Sequence, residues 1–316
     1  MSDYVQTHSV LTSFNSSNSW SILSDIEVSI KNKVESIGAP LKEWNIQINY
    51  GVKTGFNEAF IVDTQKRNEI LDNCQSEDER SKTSEIIRPI LRGRDIKRYG
   101  YNWAGLYLIW IPWHFPLHLD SSIQGVSEKA EIAFKLQYPS VYQHLLQYKD
   151  KLSARNKAET GIRYEWYALQ RWGANYWDLL SQPKIVWGEI SDKSKFCLDT
   201  LGEFTPEATT FMLSGDNLFY LLAFLNCSIS EYLFSTIGTT TGVGTVRWKK
   251  YKILELPIPE YDASELQIDL INTCKNAVET REEIPVYEKR INSIIYQIYG
   301  LTEEEIEYIE MFIHGK

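Results

Sequence analysis

Residues 218–234, LFYLLAFLNCSISEYLF, would be apolar on nearly every side of a single helix. A helix without a wet face has to lie between layers, so the chain must supply a sheet and further helices to cover it. The longest unbroken apolar run, Leu218 to Leu225, is eight residues. That is far short of the roughly 20 that cross a bilayer. With 316 residues there is room for one large domain or two ordinary ones, and 10 Trp with 19 Tyr make the core aromatic-rich. The start is polar and shows no signal peptide. Four cysteines, at 74, 197, 227 and 274, stand far apart and none has metal-ligand spacing. Unpaired cysteines fit a reducing compartment. The expectation is a cytoplasmic protein with no membrane segment and no metal site.

Read in order, residues 1–30 form a linker-like, Ser/Asn-rich lead-in that runs into a helix over 22–37, where Ile22, Ile26, Ile30 and Val34 recur every four residues. Ile46–Tyr50 and Ala59–Val62 read as the two strands of a hairpin around Gly51 and Gly55. Glu77–Glu85 is acid-rich and reads as a solvated loop. Further strands are expected at Leu106–Ile111, Pro183–Gly188, Thr209–Leu213 and Ile253–Ile258, and a helix at Tyr138–Leu152 with Pro139 in its first turn. Beyond residue 261 the chain becomes helical, with an Ile291/Ile294/Ile295/Ile298 stripe and a Thr302–Glu305 capping box. The fold class is therefore mixed α/β (α+β): a twisted, largely antiparallel sheet with packed helices, then a helical tail. The division is 1–30 lead-in, 31–260 main domain, and 261–316 tail, the tail packing on the body or on a partner.

Charge singles out three segments. Ile86–Tyr99, IIRPILRGRDIKRY, has five basic residues against Asp95, in a chain of net charge −9. Residues 151–171 carry Lys151, Arg155, Lys157, Arg163 and Arg171 among Tyr164, Trp166 and Tyr167. Residues 247–252 carry Arg247, Lys249, Lys250 and Lys252 after the Gly/Thr run 235–244. That run lacks the Gly-Lys-Ser/Thr ending of a P-loop. From Asp262 onward there are 12 acids and 5 bases, so the tail holds −7 of the charge. The body is near neutral and can present a basic face, while the tail repels polyanions. Each segment has an ordinary structural explanation as solvated surface or turn. Together they also suit an anion-facing surface, where arginine forks bind phosphates or guanine edges.

The order of short motifs resembles the TaqI-like C-terminal specificity domain of type IIG restriction–modification enzymes. The matching pieces are GVKTGFNEAF at 51–60, RPILRGRDIK at 88–97, YPSVYQHLL at 138–146, PKIVW at 183–187, LPIP at 256–259 and IYGLTEEEI at 298–306. The resemblance spans roughly 30–310. It implies a target-recognition domain that binds duplex DNA beside a methyltransferase domain or subunit, which flips an adenine for methylation. The DNA-binding residues expected are Lys53, Thr54, Arg92, Arg94, Lys97, Arg155, Arg163, Arg171, Thr240, Thr241, Arg247 and Lys249. Among them Arg92, Arg94 and Arg163, then Thr240 and Thr241, are the first candidates for reading bases.

The sequence also departs from the family's catalytic half. No two prolines are adjacent, so the Asn/Asp-Pro-Pro-Tyr/Phe motif is absent. No catalytic residue and no cofactor is therefore expected in this chain, and S-adenosylmethionine would belong to the missing methyltransferase part. The chain would be a fragment of a longer enzyme or a stand-alone specificity subunit. Two other classes compete. A metal-dependent nuclease could use Asp95 and Lys97, with Glu85 as a second ligand. The aromatic content would also suit a carbohydrate-binding or purely structural module.

Overall fold

The computed structural model describes residues 23–155, 164–237 and 246–315. The continuous apolar segments become strands, and eight of them build two four-stranded sheets. In chain order these are β1 (Ile46–Tyr50), β2 (Ile61–Asp63), β3 (Ile87–Leu91), β4 (Leu106–Ile109), β5 (Lys184–Gly188), β6 (Phe196–Asp199), β7 (Thr205–Pro206) and β8 (Thr210–Gly215). The first sheet has the order β6-β5-β8-β1 and is antiparallel throughout, with Phe211 opposite both Tyr50 and Trp187. The second has the order β7-β3-β4-β2 and is antiparallel apart from the β7–β3 pair, Thr205 beside Ile90. The class is mixed α/β with antiparallel sheets and a helical C-terminal region, and the strands are shared between two sheets.

Each sheet has its own core. The first packs Ile48, Ile185, Trp187, Phe196 and Phe211 against the apolar helices. The second gathers Phe60, Ile87, Leu108, Phe134 and Tyr167. The apolar stretch at 218 is buried as expected, but it forms two helices, Leu218–Asn226 and Ser228–Ile237. Cys227 is extended between them (φ −76°, ψ 160°), which turns the second helix by 59°. Among the described residues no single helix is long and apolar enough to cross a membrane.

Four sequence expectations are corrected. The 46–62 hairpin does not form: β1 and β2 lie in different sheets, and the helical turn Asn57–Phe60 separates them. Glu77–Ile86 is a helix, not a loop. Ser76 caps it by accepting from the Glu79 N–H, and Glu77, Asp78 and Glu79 sit where the helix dipole favours acids. The 138–152 helix is broken into Pro139–Leu146 and Lys149–Ser153. Of the exit strand only Pro257–Pro259 is extended, because Lys250–Ile253 is a helical turn.

The helices after residue 261, Glu265–Thr280, Ile284–Ile298 and Glu303–His314, pack on the body through Leu270, Cys274, Ile294 and Ile309. Their main polar lock is Glu305. It accepts from Lys33 Nζ (2.7 Å), Ser29 Oγ (2.7 Å) and the Thr302 N–H (2.7 Å), so the capping box of the last helix is tied to the helix Asp25–Ile37. Burial pushes the Glu305 carboxyl up, but these donors and the Lys33 charge outweigh it and bring it down to about 2. A carboxyl depressed from 4.5 to about 2 contributes stability above pH 4.5 that is lost as pH falls through 2. Glu305→Gln is expected to cost on the order of 2–3 kcal/mol at pH 7. In denaturant unfolding the gap between variant and parent should close between pH 4.5 and 2. A gap that stays constant with pH would show that the carboxylate charge does not hold the tail.

Candidate nucleic-acid interface

Three chain segments meet where the two sheets adjoin, and their meeting makes a seam; two of them, 51–57 and 207–209, carry the chain from one sheet to the other. Residues 51–57 leave β1, residues 92–97 leave β3, and residues 207–209 carry the chain from β7 to β8. Backbone hydrogen bonds bind them together: Gly51 N donates to Thr210 O (2.9 Å), Val52 N to Pro206 O (2.8 Å), and Glu207 N to Leu91 O (2.9 Å). One close approach demands glycine: a Cβ on Gly51 would lie 2.0 Å from Glu207 O. A second is tight, since a Cβ on Gly188 would lie 3.3 Å from the Gly93 Cα. The 207–209 turn is thus a fixed ridge with a cleft on either side.

The first cleft, of 490 Å³, lies between the Gly93–Lys97 turn and the start of the β5–β6 connection. Arg94 and Lys97 line it from one wall, Thr209 from the ridge, and Glu189, Asp192 and Lys195 from the other. Arg94 and Lys97 are exposed. Lys97 Nζ reaches, among the described residues, only the Arg94 carbonyl, at 3.4 Å. Among the described residues the Arg94 guanidinium has no hydrogen-bond or ion-pair partner. Arg247 enters beside this cleft because Val246–Arg247 pairs with Ile190–Ser191, and its Nη1 holds Glu189 at 3.1 Å. Lys249 follows, with its ammonium 5.9 Å from the Tyr251 ring centroid.

The second cleft, of 540 Å³, is lined by Lys53, Asn57, Gln170 and Glu207 with the buried Arg155 behind them. The Lys53 side chain is exposed while its backbone pairs with Arg171. Thr54 is buried; its hydroxyl meets Asn57 Oδ1 at 2.5 Å and accepts from Phe56 N, shaping the turn before the 57–60 helix.

The structure therefore sorts the expected residues. Lys53, Arg94, Lys97, Arg247 and Lys249 are brought to the seam with their charges outward or at its edge. Arg92, Thr54, Arg155 and Arg171 are used inside the protein. Arg92 forms a two-pronged fork on Asp95 (2.8 and 2.9 Å). Arg155 is 7% exposed and donates to the carbonyls of Leu152, Thr54 (2.7 Å) and Trp166 (2.5 Å), so its expected phosphate contact is replaced by a structural one. Burial lowers the Arg155 pKa, and three carbonyls take the place of water around it. Arg171 clamps Gly51 O (2.8 Å) and lies over the Tyr50 ring. Arg163, Thr240 and Thr241 lie outside the described residues. Tyr164 and Tyr167, which follow Arg163 in the sequence, belong to the core.

Sequence reasoning missed Glu207, Thr209 and Lys195 as seam residues. No local signal marks them, because the crossing of the two sheets puts them there. The nuclease alternative meets an obstacle in Asp95: it is 4% exposed and both its oxygens are held by Arg92.

Known proteins resemble this chain over most of its length. The type II methyltransferase M.MjaIV of Methanocaldococcus jannaschii is 22% identical over 259 residues, 79% of this chain and 77% of its own. M.PaeR7I of Pseudomonas aeruginosa, also a type II methyltransferase, is 20% identical over 293 residues, 92% of this chain but 44% of that protein. Among solved structures, the type IIL restriction-modification enzyme MmeI in complex with DNA shares the fold, with a TM-score of 0.52 at 12% identity over 88% of this chain and 36% of that one. A family model matches residues 88–258, which hold β4 to β8 and the 92–97 and 207–209 segments of the seam, while β1, β2 and residues 51–57 precede it; the chain belongs to the TaqI-like C-terminal specificity domain family.

Proposed function

We propose that this chain recognises a short sequence in duplex DNA as the specificity part of a restriction–modification adenine methyltransferase. Methyl transfer from S-adenosylmethionine would be performed by a methyltransferase part outside it. The observation that carries the reading is the Arg94 guanidinium, exposed and unpartnered among the described residues, at the mouth of a cleft lined by Lys97 and Lys195 with Arg247 beside it. A guanidinium fork matches the O6 and N7 acceptors of guanine, and lysines at the rim suit phosphates. The acidic tail lies in the other part of the chain and disfavours binding elsewhere. MmeI, which shares the fold, was solved with DNA, and the family is defined by specificity. Both support a DNA-reading role over a carbohydrate-binding one.

The test is selection from a pool of random-sequence duplexes, followed by sequencing. A single short motif should be enriched. Arg94→Ala should relax one position of it, at a cost of about 1–3 kcal/mol in discrimination. Enrichment of no motif would contradict the reading. Arg155→Ala should behave differently: it removes the side-chain donor from the carbonyls of Thr54 and Trp166, so a loss of folding stability on the order of 2–4 kcal/mol is expected in thermal or denaturant unfolding. An Arg155→Ala protein as stable as the parent but unable to bind DNA would show that Arg155 faces the ligand after all.

A further inference from the structure

The seam is basic, yet one carboxylate on it is left uncompensated. Asp95 is held by Arg92 at 2.8 Å, Glu189 by Arg247 at 3.1 Å, and Asp192 by Lys195 at 2.6 Å. Glu207, on the ridge between the clefts, has no ion-pair partner among the described residues. Its charge acts on Arg92, whose fork is already taken by Asp95. Its Oε2 accepts from Thr209 Oγ1 (2.6 Å) and Thr209 N (3.2 Å), while Oε1 has no partner among the described residues. The side chain is half-exposed, and its backbone is fixed by the Leu91 carbonyl, the Thr210 N–H and the close approach of Gly51.

We propose that Glu207 is a specificity determinant, a carboxylate pre-set to accept the N4 amino group of a cytosine in the major groove. This deepens the DNA-reading proposed above and rests on it. A carboxylate facing DNA is repelled by phosphates, so it contributes only by accepting from a base edge. Two bases offer an amino donor there. Adenine presents its N7 acceptor beside N6, so the second carboxylate oxygen would meet a lone pair. Guanine presents acceptors at N7 and O6, and thymine an acceptor and a methyl. Cytosine alone offers the donor without a neighbouring acceptor on the same base. Thr209 is the positioning residue, since its hydroxyl holds one oxygen and leaves the other aimed outward.

The experiment is selection from random duplexes with the full chain and with Glu207→Gln, whose amide oxygen can still accept from Thr209. The parent motif should contain a cytosine preferred by about tenfold or more. In Glu207→Gln that preference should be lost, or pass to adenine, whose N6 and N7 suit an amide, with the other positions kept. Affinity for the parent motif should fall by about the factor that the preference loses. An unchanged motif in Glu207→Gln, or a parent motif without a selected cytosine, would overturn the assignment and leave the DNA-reading standing. Enrichment of no motif by either protein would overturn both.

Discussion

The contact between Gly51 and the Glu207 carbonyl is the constraint on which the rest depends. With no Cβ at 51, the segment leaving β1 can lie against the segment joining β7 to β8, and both can hydrogen-bond across the gap. Gly93 lies against Gly188 on the far side of the ridge in a looser fit, where a Cβ on Gly188 would lie 3.3 Å from the Gly93 Cα. Side chains cross as well: Leu91 of β3 packs with Val186 of β5 and Cys197 of β6, so the two sheets are joined by backbone hydrogen bonds and by a small shared core. Every side chain that leaves the crossing inherits that fixed direction. Pre-set donors and acceptors are what base discrimination requires, since an unpaired polar group at the wrong base costs more than a flexible one.

The basic stretch Arg88–Arg98 shows how one run of charge is divided between structure and surface. Arg92 locks the turn through Asp95. Arg98 turns inward and meets Glu231, Glu288, Ser194 and the Asn226 carbonyl. It joins the seam to the helices Ser228–Ile237 and Ile284–Ile298 in a single buried network. Such pairs add little net stability over apolar packing, but removing one partner leaves a buried charge unpaired. Arg94 and Lys97, lying between these two anchors, are the ones left to face outward. The turn is thus held on both sides by arginines while its centre stays available to a ligand.

Much of this was legible in the sequence where a local rule was enough. Thr302 and Glu305 announced their capping box, Pro139 its helix start, and residues 218–234 their burial. What local rules could not supply is pairing at long range. Ile46–Tyr50 and Ala59–Val62 look like a hairpin because the glycines between them resemble a turn, yet those residues serve the seam instead. The 77–86 helix was hidden because its buried face is only Glu79, Thr83 and Ile86, too polar for a periodic signal. The site was partly legible for a related reason. Charge can be counted along a chain, but whether a guanidinium meets water or carbonyls depends on distant residues, as Arg155 and the carbonyls of Thr54 and Trp166 show.

The central claim is that ligand contact is concentrated at the seam and spares the acidic tail. Hydrogen–deuterium exchange with and without duplex DNA tests it most directly. The account predicts slower exchange with DNA in residues 51–57, 92–97, 189–195, 207–209 and 247–250, and no change in 265–314. Protection confined to the tail helices, with the seam unaffected, would contradict it.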